Sequence, residues 1–268
     1  MSTHNKELKL AVLIDADNVP YSNVKGMMEE IAKFGTPTTK RIYADWTKPN
    51  ANGWKSVLLE HAITPIQQYS YTVGKNSSDS AMIIDAMDLL YSDKVDGFCI
   101  VSSDSDFTRL AIRLRESGMK VIGIGEKKTP NSFIVACDRF IYIEVLDGAI
   151  KKTRKTGTVS SKSVKTTANV APKTTTKPVE KEVINKIDNQ TIELIEDTLD
   201  AIGDEDGWAF LGDVGNLISK KKPEFDPRNY GFSKLTPMLK SLTDILEIDE
   251  RESDKKGIKH VFVRLKLA

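Results

Sequence analysis

The sequence predicts an α/β fold, a mainly parallel sheet with helices on both faces, followed by a small winged-helix unit. Three observations predict it. Short apolar runs alternate with stretches of helical periodicity over the first 146 residues. Two of those runs end in acidic clusters, Asp15-Ala16-Asp17 and Asp104-Ser105-Asp106, as buried parallel strands do when they open on a polar cleft. Beyond residue 150 the chain becomes a Lys-, Thr- and Ser-rich stretch, and helical periodicity returns only near Thr191.

The elements follow in order. Leu8 to Ile14 reads as the first buried strand. The next helix is expected to be capped by Ser22, to carry Val24, Met27, Ile31 and Phe34 at helical spacing, and to end at Gly35. The alternation continues with a strand at Thr39–Tyr43, a helix at Trp54–Ala62, a strand at Ile66–Tyr69, a helix at Asp79–Tyr91 and a strand at Gly97–Val101. A helix at Phe107–Glu116, a strand at Lys120–Ile124, a short helix at Phe133–Cys137 and a strand at Phe140–Ile143 complete it. Such alternation implies a parallel sheet covered on both sides.

Composition narrows the class. With 268 residues and 40% hydrophobic content, the chain can bury one full core and a second smaller one. It holds no apolar run of membrane-spanning length, and its first eight residues are polar, so a cytoplasmic protein without a secretory leader is expected. The two cysteines, Cys99 and Cys137, lie in apolar contexts without metal-site spacing and read as core residues. Residues 1–150 carry 17 basic and 19 acidic side chains, 151–182 carry 9 and 2, and 183–268 carry 13 and 17. The domains are therefore expected at 1–150 and 187–268, with 151–186 a basic linker that serves as a spacer or as a salt-sensitive phosphate contact.

The acidic clusters carry the chemistry. In open α/β sheets ligands bind beyond the carboxyl ends of the strands, where strand order reverses. Asp15 and Asp104 each follow an apolar strand directly, and Asp79 opens a helix, so three sources of carboxylate converge. Clustered carboxylates repel unless a cation bridges them. A hard divalent cation, Mg²⁺ or Mn²⁺, takes oxygen ligands, holds phosphate and activates water, which points to phosphodiester hydrolysis. Plainer roles stand beside these: a turn for Asp17, a helix cap for Asp106, a dipole contact for Asp79, and a solvated helix face for Asp85 and Asp88. His61 lies away from the strand ends, and Ser102 and Ser103 have no base beside them in the sequence.

Three segments in this order, Val12-Leu13-Ile14-Asp15-Ala16-Asp17-Asn18, Lys75-Asn76-Ser77-Ser78-Asp79 and Val101-Ser102-Ser103-Asp104-Ser105-Asp106-Phe107, resemble the NYN family, whose fold is that of the PIN-like (Rossmannoid) nucleases. Asp138-Arg139-Phe140-Ile141 is similar too. The resemblance covers residues 8–146 and implies an RNA-directed, Mg²⁺- or Mn²⁺-dependent nuclease. It implies Asp15, Asp79 and Asp104 as metal ligands, Asp106 as a supplementary acid, and Asn18, a positioning residue, with Lys75, Ser102 and Ser103 as substrate contacts. Two departures stand out: Ser103 where members often carry Gly, and one extra residue between Lys75 and Asp79, which shifts that lysine relative to the acid.

In the C-terminal region Ile192, Ile195, Leu199 and Ile202 form one stripe. Helices are expected at Val214–Lys221 and Lys234–Leu242, and a two-stranded wing at Leu246–Asp249 and His260–Leu265. Gly207-Trp208 and Phe225-Asp226-Pro227-Arg228-Asn229-Tyr230-Gly231 resemble the LOTUS or OST-HTH module, which implies an RNA or protein partner. The acidic balance of this region argues against a DNA-groove reader. Trp208, Phe225, Tyr230 and Phe232 read as core, and Lys220-Lys221-Lys222 as either solvated surface or a phosphate contact. Two alternatives to a nuclease remain: a catalytically inactive RNA-binding regulator, and a phosphatase of the haloacid-dehalogenase type, whose DxD Asp15-Ala16-Asp17 would match while Asp79 would have no role.

Overall fold

The computed structural model describes residues 7–48, 53–69, 77–146, 187–252 and 259–266. The first unit is a six-stranded parallel sheet of β1 (Lys9–Asp15), β2 (Thr36–Ala44), β3 (Thr64–Gln67), β4 (Gly97–Val101), β5 (Lys120–Gly125) and β6 (Arg139–Tyr142), in the order β3-β2-β1-β4-β5-β6. The sequence-predicted parallel sheet is therefore present. Its helices are α1 (Val24–Ile31), α2 (Trp54–His61), α3 (Ser77–Tyr91), α4 (Thr108–Glu116) and α5 (Asn131–Ala136).

Side chains of a strand alternate between faces, and β1 shows how that builds two cores. Ala11 and Leu13 join a cluster with Met82 and Ala86 of α3, Leu110 and Leu114 of α4 and Phe133 of α5. Leu10, Val12 and Ile14 point the other way, onto Val24, Met27 and Ile31 of α1 and Trp54 and Leu58 of α2. Burial on both faces is why β1 and β4 read as unbroken apolar runs.

Local details correct two expectations. Ser22 does not cap α1: Tyr21–Asn23 form a 3₁₀ turn, and the Ser22 hydroxyl donates to Asn23 Oδ1. Gly35 is not a helix cap either. α1 ends at Ile31, and a Cβ at Gly35 would sit 2.4 Å from the Leu8 carbonyl oxygen, so the glycine lets β2 enter closely beside β1. Residues 70–76, Lys75 among them, lie outside the described residues, as does the linker at 151–186.

The second unit packs α6 (Asn189–Ile202), α7 (Leu211–Lys221) and α8 (Leu235–Lys240) against an antiparallel sheet β7-β9-β8, formed by Ala209–Phe210, Lys259–Leu265 and Leu246–Glu252. Ile195, Leu199, Val214, Ile218, Leu239 and Val263 fill its core together with Phe225 and Tyr230. Trp208 departs from the expected core role: the guanidinium of Arg264 stands 4.5 Å from its ring centroid and that of Arg251 5.3 Å.

The two units touch. Phe140, on the edge strand β6, donates its N–H to the Pro223 carbonyl at 3.0 Å, and Arg228 donates through both terminal nitrogens to Glu30 of α1, at 2.8 and 2.9 Å. No helix among the described residues is long and apolar enough to cross a membrane.

Candidate active site

Strand order reverses between β1 and β4, so the crevice beyond their carboxyl ends is the expected ligand position of such a sheet. β1 ends at Asp15 and β4 at Val101, and the chain continues from β4 through Ser102, Ser103 and Asp104. Asp79 enters from the first turn of α3.

Asp15 is 1% exposed. Its Oδ2 accepts from Asn18 Nδ2 at 2.6 Å and from the Ser102 hydroxyl at 2.9 Å, and its Oδ1 accepts from the Asp17 N–H at 3.1 Å. Burial raises its pKa, and the bonds from Asn18 and Ser102 oppose the rise without cancelling it. Asn18 thus holds the carboxylate in place. Asp17 is exposed and supplies the turn with its backbone.

The Ser102 hydroxyl also accepts from the Asp104 N–H at 3.1 Å, so one buried hydroxyl ties the ends of β1 and β4 together. The Ser103 hydroxyl accepts from the Glu126 N–H at 2.8 Å, joining the loop to the end of β5. β5 approaches closely here, since a Cβ at Gly125 would lie 2.6 Å from the Ser102 carbonyl oxygen. Both serines are buried and bonded within the loop framework. Asp104, rather than Asp106, supplies the cap: it accepts from the Asp106 N–H at 2.9 Å and opens the 3₁₀ turn Ser105–Phe107 ahead of α4.

Asp79, Asp104 and Asp106 each place a carboxylate oxygen so that all three lie within 4.8 Å of one another. Asp79 is 7% exposed, and its pKa is pushed up to about 6, first by burial and then by the charges of Asp15, Asp104 and Asp106. Asp15 therefore belongs to the same electrostatic unit. An all-oxygen acidic set of this kind fits a hard cation such as Mg²⁺ or Mn²⁺. Cys99 and Cys137 play no part in it: both are buried free thiols, and burial pushes the Cys137 thiol up to about 12.

The sequence reading missed one group behind the site. Asp85 is not on a solvated face: its two carboxylate oxygens accept from Arg41 and from the Tyr43 hydroxyl, clamping α3 to β2. Burial and then the Asp85 contact raise the Tyr43 pKa. Arg41, directly before the buried Ile42, Tyr43 and Ala44 at the end of β2, was the available clue, because a half-buried cation there requires a partner.

Two solved structures are similar to parts of the chain. A structure from Vibrio parahaemolyticus, the protein of unknown function VPA0982, is similar at 21% identity over 53% of this chain and 96% of its own, with a TM-score of 0.44. The solution structure of the uncharacterized protein from locus NE0665 of Nitrosomonas europaea is similar at 29% identity over 37% of this chain and 94% of its own, with a TM-score of 0.29. No curated protein matches. Residues 182–258 match the OST-HTH/LOTUS domain family, and residues 9–144, just over half of the chain, match the NYN domain family. With a PIN-like sheet and acids gathered at its switch point, the chain belongs to the NYN domain family and carries an OST-HTH/LOTUS domain behind that unit.

Proposed function

We propose that this protein is a metal-dependent ribonuclease that hydrolyses RNA phosphodiester bonds at the acidic crevice, with residues 1–150 as the nuclease unit, 151–186 as a basic linker and 187–268 as the OST-HTH/LOTUS unit. One observation carries the reading. Asp79, Asp104 and Asp106 bring carboxylate oxygens within 4.8 Å of one another where the parallel sheet reverses order, and Asp79 is held at a pKa of about 6 by burial and by the charges of these neighbours and of Asp15. Acids gathered at a strand-end switch point with a pKa raised by burial and by one another are the signature of a functional site.

Each residue has a role in this reading. Asp15, Asp79 and Asp104 would hold the cation, Asp106 would add a further acid beside Asp79 and Asp104, and Asn18 and Ser102 orient Asp15. Ser103 fixes the loop to β5. Lys75 is proposed as a phosphate contact on the segment before α3. A bound Mg²⁺ or Mn²⁺ would neutralise the phosphate and lower the pKa of an attacking water. The chain supplies the negative pocket that selects a hard cation, and the buried hydrogen bonds that keep it from rearranging.

The test is incubation of the purified protein with labelled structured and unstructured RNA in Mn²⁺, in Mg²⁺ and in EDTA, beside a free-phosphate assay on small phosphoesters. Cleavage that EDTA abolishes supports the nuclease. RNA binding without cleavage in either metal would sink it in favour of an RNA-binding regulator, and phosphate release without cutting would favour a phosphatase.

A further inference from the structure

The contact between the two units is a buried ion cluster outside the acidic crevice. Arg228 donates through Nε and Nη2 to Asp226, at 2.9 and 2.6 Å, and reaches across the seam to both oxygens of Glu30. Glu30 is 6% exposed and also takes Lys33 at 2.7 Å. Burial alone would raise the Glu30 pKa, but the bonds from Arg228 and Lys33 outweigh it and hold the carboxylate below its usual range. From the nuclease side Arg139 returns the contact, donating to the Ser219 hydroxyl at 2.8 Å and standing 3.6 Å from Asp226. The Pro223 carbonyl meanwhile occupies the Phe140 N–H of the edge strand β6. Parting the units would take Arg228 from Glu30, leaving that buried carboxylate only Lys33, and would separate Arg139 from Asp226 and Ser219, so the paired charges favour one geometry. The OST-HTH/LOTUS unit is docked in place and not merely tethered.

Docking creates a groove of about 510 Å³ with one wall from each unit. Lys127 and Tyr142 line it from the nuclease unit, and Lys222 and Asn229 from the second. It is linked to the acidic loop through the chain: the Ser103 hydroxyl, one residue before Asp104, accepts from the Glu126 N–H, and Lys127 is the next residue. Two acids also line the groove, Asp188 and Glu224; Asp188 is engaged as the cap of α6, accepting from the Thr191 N–H at 2.7 Å. Lys222 Nζ donates to Thr191 Oγ1 at 3.3 Å, so it is held at the groove. A lysine on each wall with the Tyr142 ring in the lining matches what a single strand uses, phosphates on the lysines and a base against the ring.

Resting on the ribonuclease reading, we propose that this seam is a composite RNA subsite: the strand whose phosphodiester lies at the acidic crevice continues past Lys127 into the groove and reaches Lys222, while the Glu30–Arg228–Asp226–Arg139 cluster keeps the two walls in register.

Binding of a fluorescent unstructured RNA to the full-length protein is measured in EDTA over a salt series, for wild type, Lys127→Ala, Lys222→Ala, Glu30→Gln and Arg264→Ala as a cation outside the groove. Lys127→Ala and Lys222→Ala are each expected to weaken binding roughly 3- to 10-fold and to reduce the salt slope by about 1, with Arg264→Ala unchanged. In the Glu30→Gln background, Lys222→Ala should have little further effect. Spin labels at Glu60→Cys and Asp244→Cys, which the buried Cys99 and Cys137 do not disturb, should give a narrow distance distribution that Glu30→Gln broadens. Wild-type affinity in both lysine variants, or a label distance indifferent to Glu30→Gln, overturns the proposal. Cleavage is followed in parallel in Mn²⁺. Normal cutting with a groove insensitive to these changes would sink the seam alone, and sensitive binding without cutting would sink the nuclease alone.

Discussion

The Ser102 hydroxyl donates to Asp15 Oδ2 at 2.9 Å, joining the ends of two adjacent parallel strands through one buried bond. It accepts from the Asp104 N–H at the same time, so one hydroxyl orients both acidic segments. Ser102→Ala should leave the Asp104 N–H and one Asp15 lone pair unsatisfied, at a cost of about 1–3 kcal/mol. It also removes a bond that lowers the Asp15 pKa, so the pH profile of RNA cutting should move upward, while Ser102→Thr restores it. Melting curves and a pH–rate profile check this. An alanine variant with wild-type stability and profile would remove Ser102 from the site.

Asp104→Asn should abolish cutting while the fold is kept. The amide retains the oxygen that caps the Ser105–Phe107 turn but loses the charge that would hold the proposed cation. Circular dichroism and the RNA assay in Mn²⁺ decide it, and cleavage at the wild-type rate would show the site to be misplaced.

How much of this was legible follows from where each interaction runs. β1 and β4 were readable because strands buried on both faces admit only apolar residues, which makes an acid just past the last one conspicuous, as at Asp15 and Asp104. Asp85 was misread because its partners, Arg41 and Tyr43, lie more than forty positions away, and periodicity along one helix carries no information about a neighbouring strand. Gly35 resembled a helix stop because both a stop and a close backbone approach call for glycine; only the Leu8 carbonyl beside it separates the two. The Glu30–Arg228 contact spans 198 positions and two units, beyond any local pattern.

Asp85→Asn should loosen α3 from β2 by stripping the charge from the Arg41 and Tyr43 contacts. Asp85 is partly exposed, so the expected loss is modest, about 1–2 kcal/mol. Because α3 carries Asp79, the Mn²⁺ affinity should fall as well, although Asp85 is not among the proposed ligands. Calorimetric titration of Mn²⁺ beside thermal unfolding tests the linkage. A variant that melts earlier yet binds Mn²⁺ as wild type would confine Asp85 to stability.

The last prediction concerns Asp79 and joins pH to metal. Its pKa in the folded protein is about 6 against an ordinary value of 3.8, so between those values the native state holds a proton that the unfolded chain has released. The sign follows from linkage: the stability associated with this group is fully present below pH 3.8 and is lost as pH rises through about 6. Glu30 and Asp226, held low by Arg228, act in the opposite sense, since their contribution is lost as pH falls. The comparison must therefore be between proteins and not between pH values alone. In EDTA, Asp79→Asn should gain on wild type as pH rises from about 4 to 7, because the amide cannot take on the repelled charge. In Mn²⁺ the order should reverse: at 100 times Kd a cation bound only to the native state adds roughly 2.7 kcal/mol to wild type, and the variant should receive much less. Asp79 suits this test better than Asp15, whose carboxylate accepts three hydrogen bonds that an amide would disrupt. A difference between the two melting curves that stayed constant across pH and unchanged by Mn²⁺ would mean that Asp79 neither feels its acidic neighbours nor binds the cation.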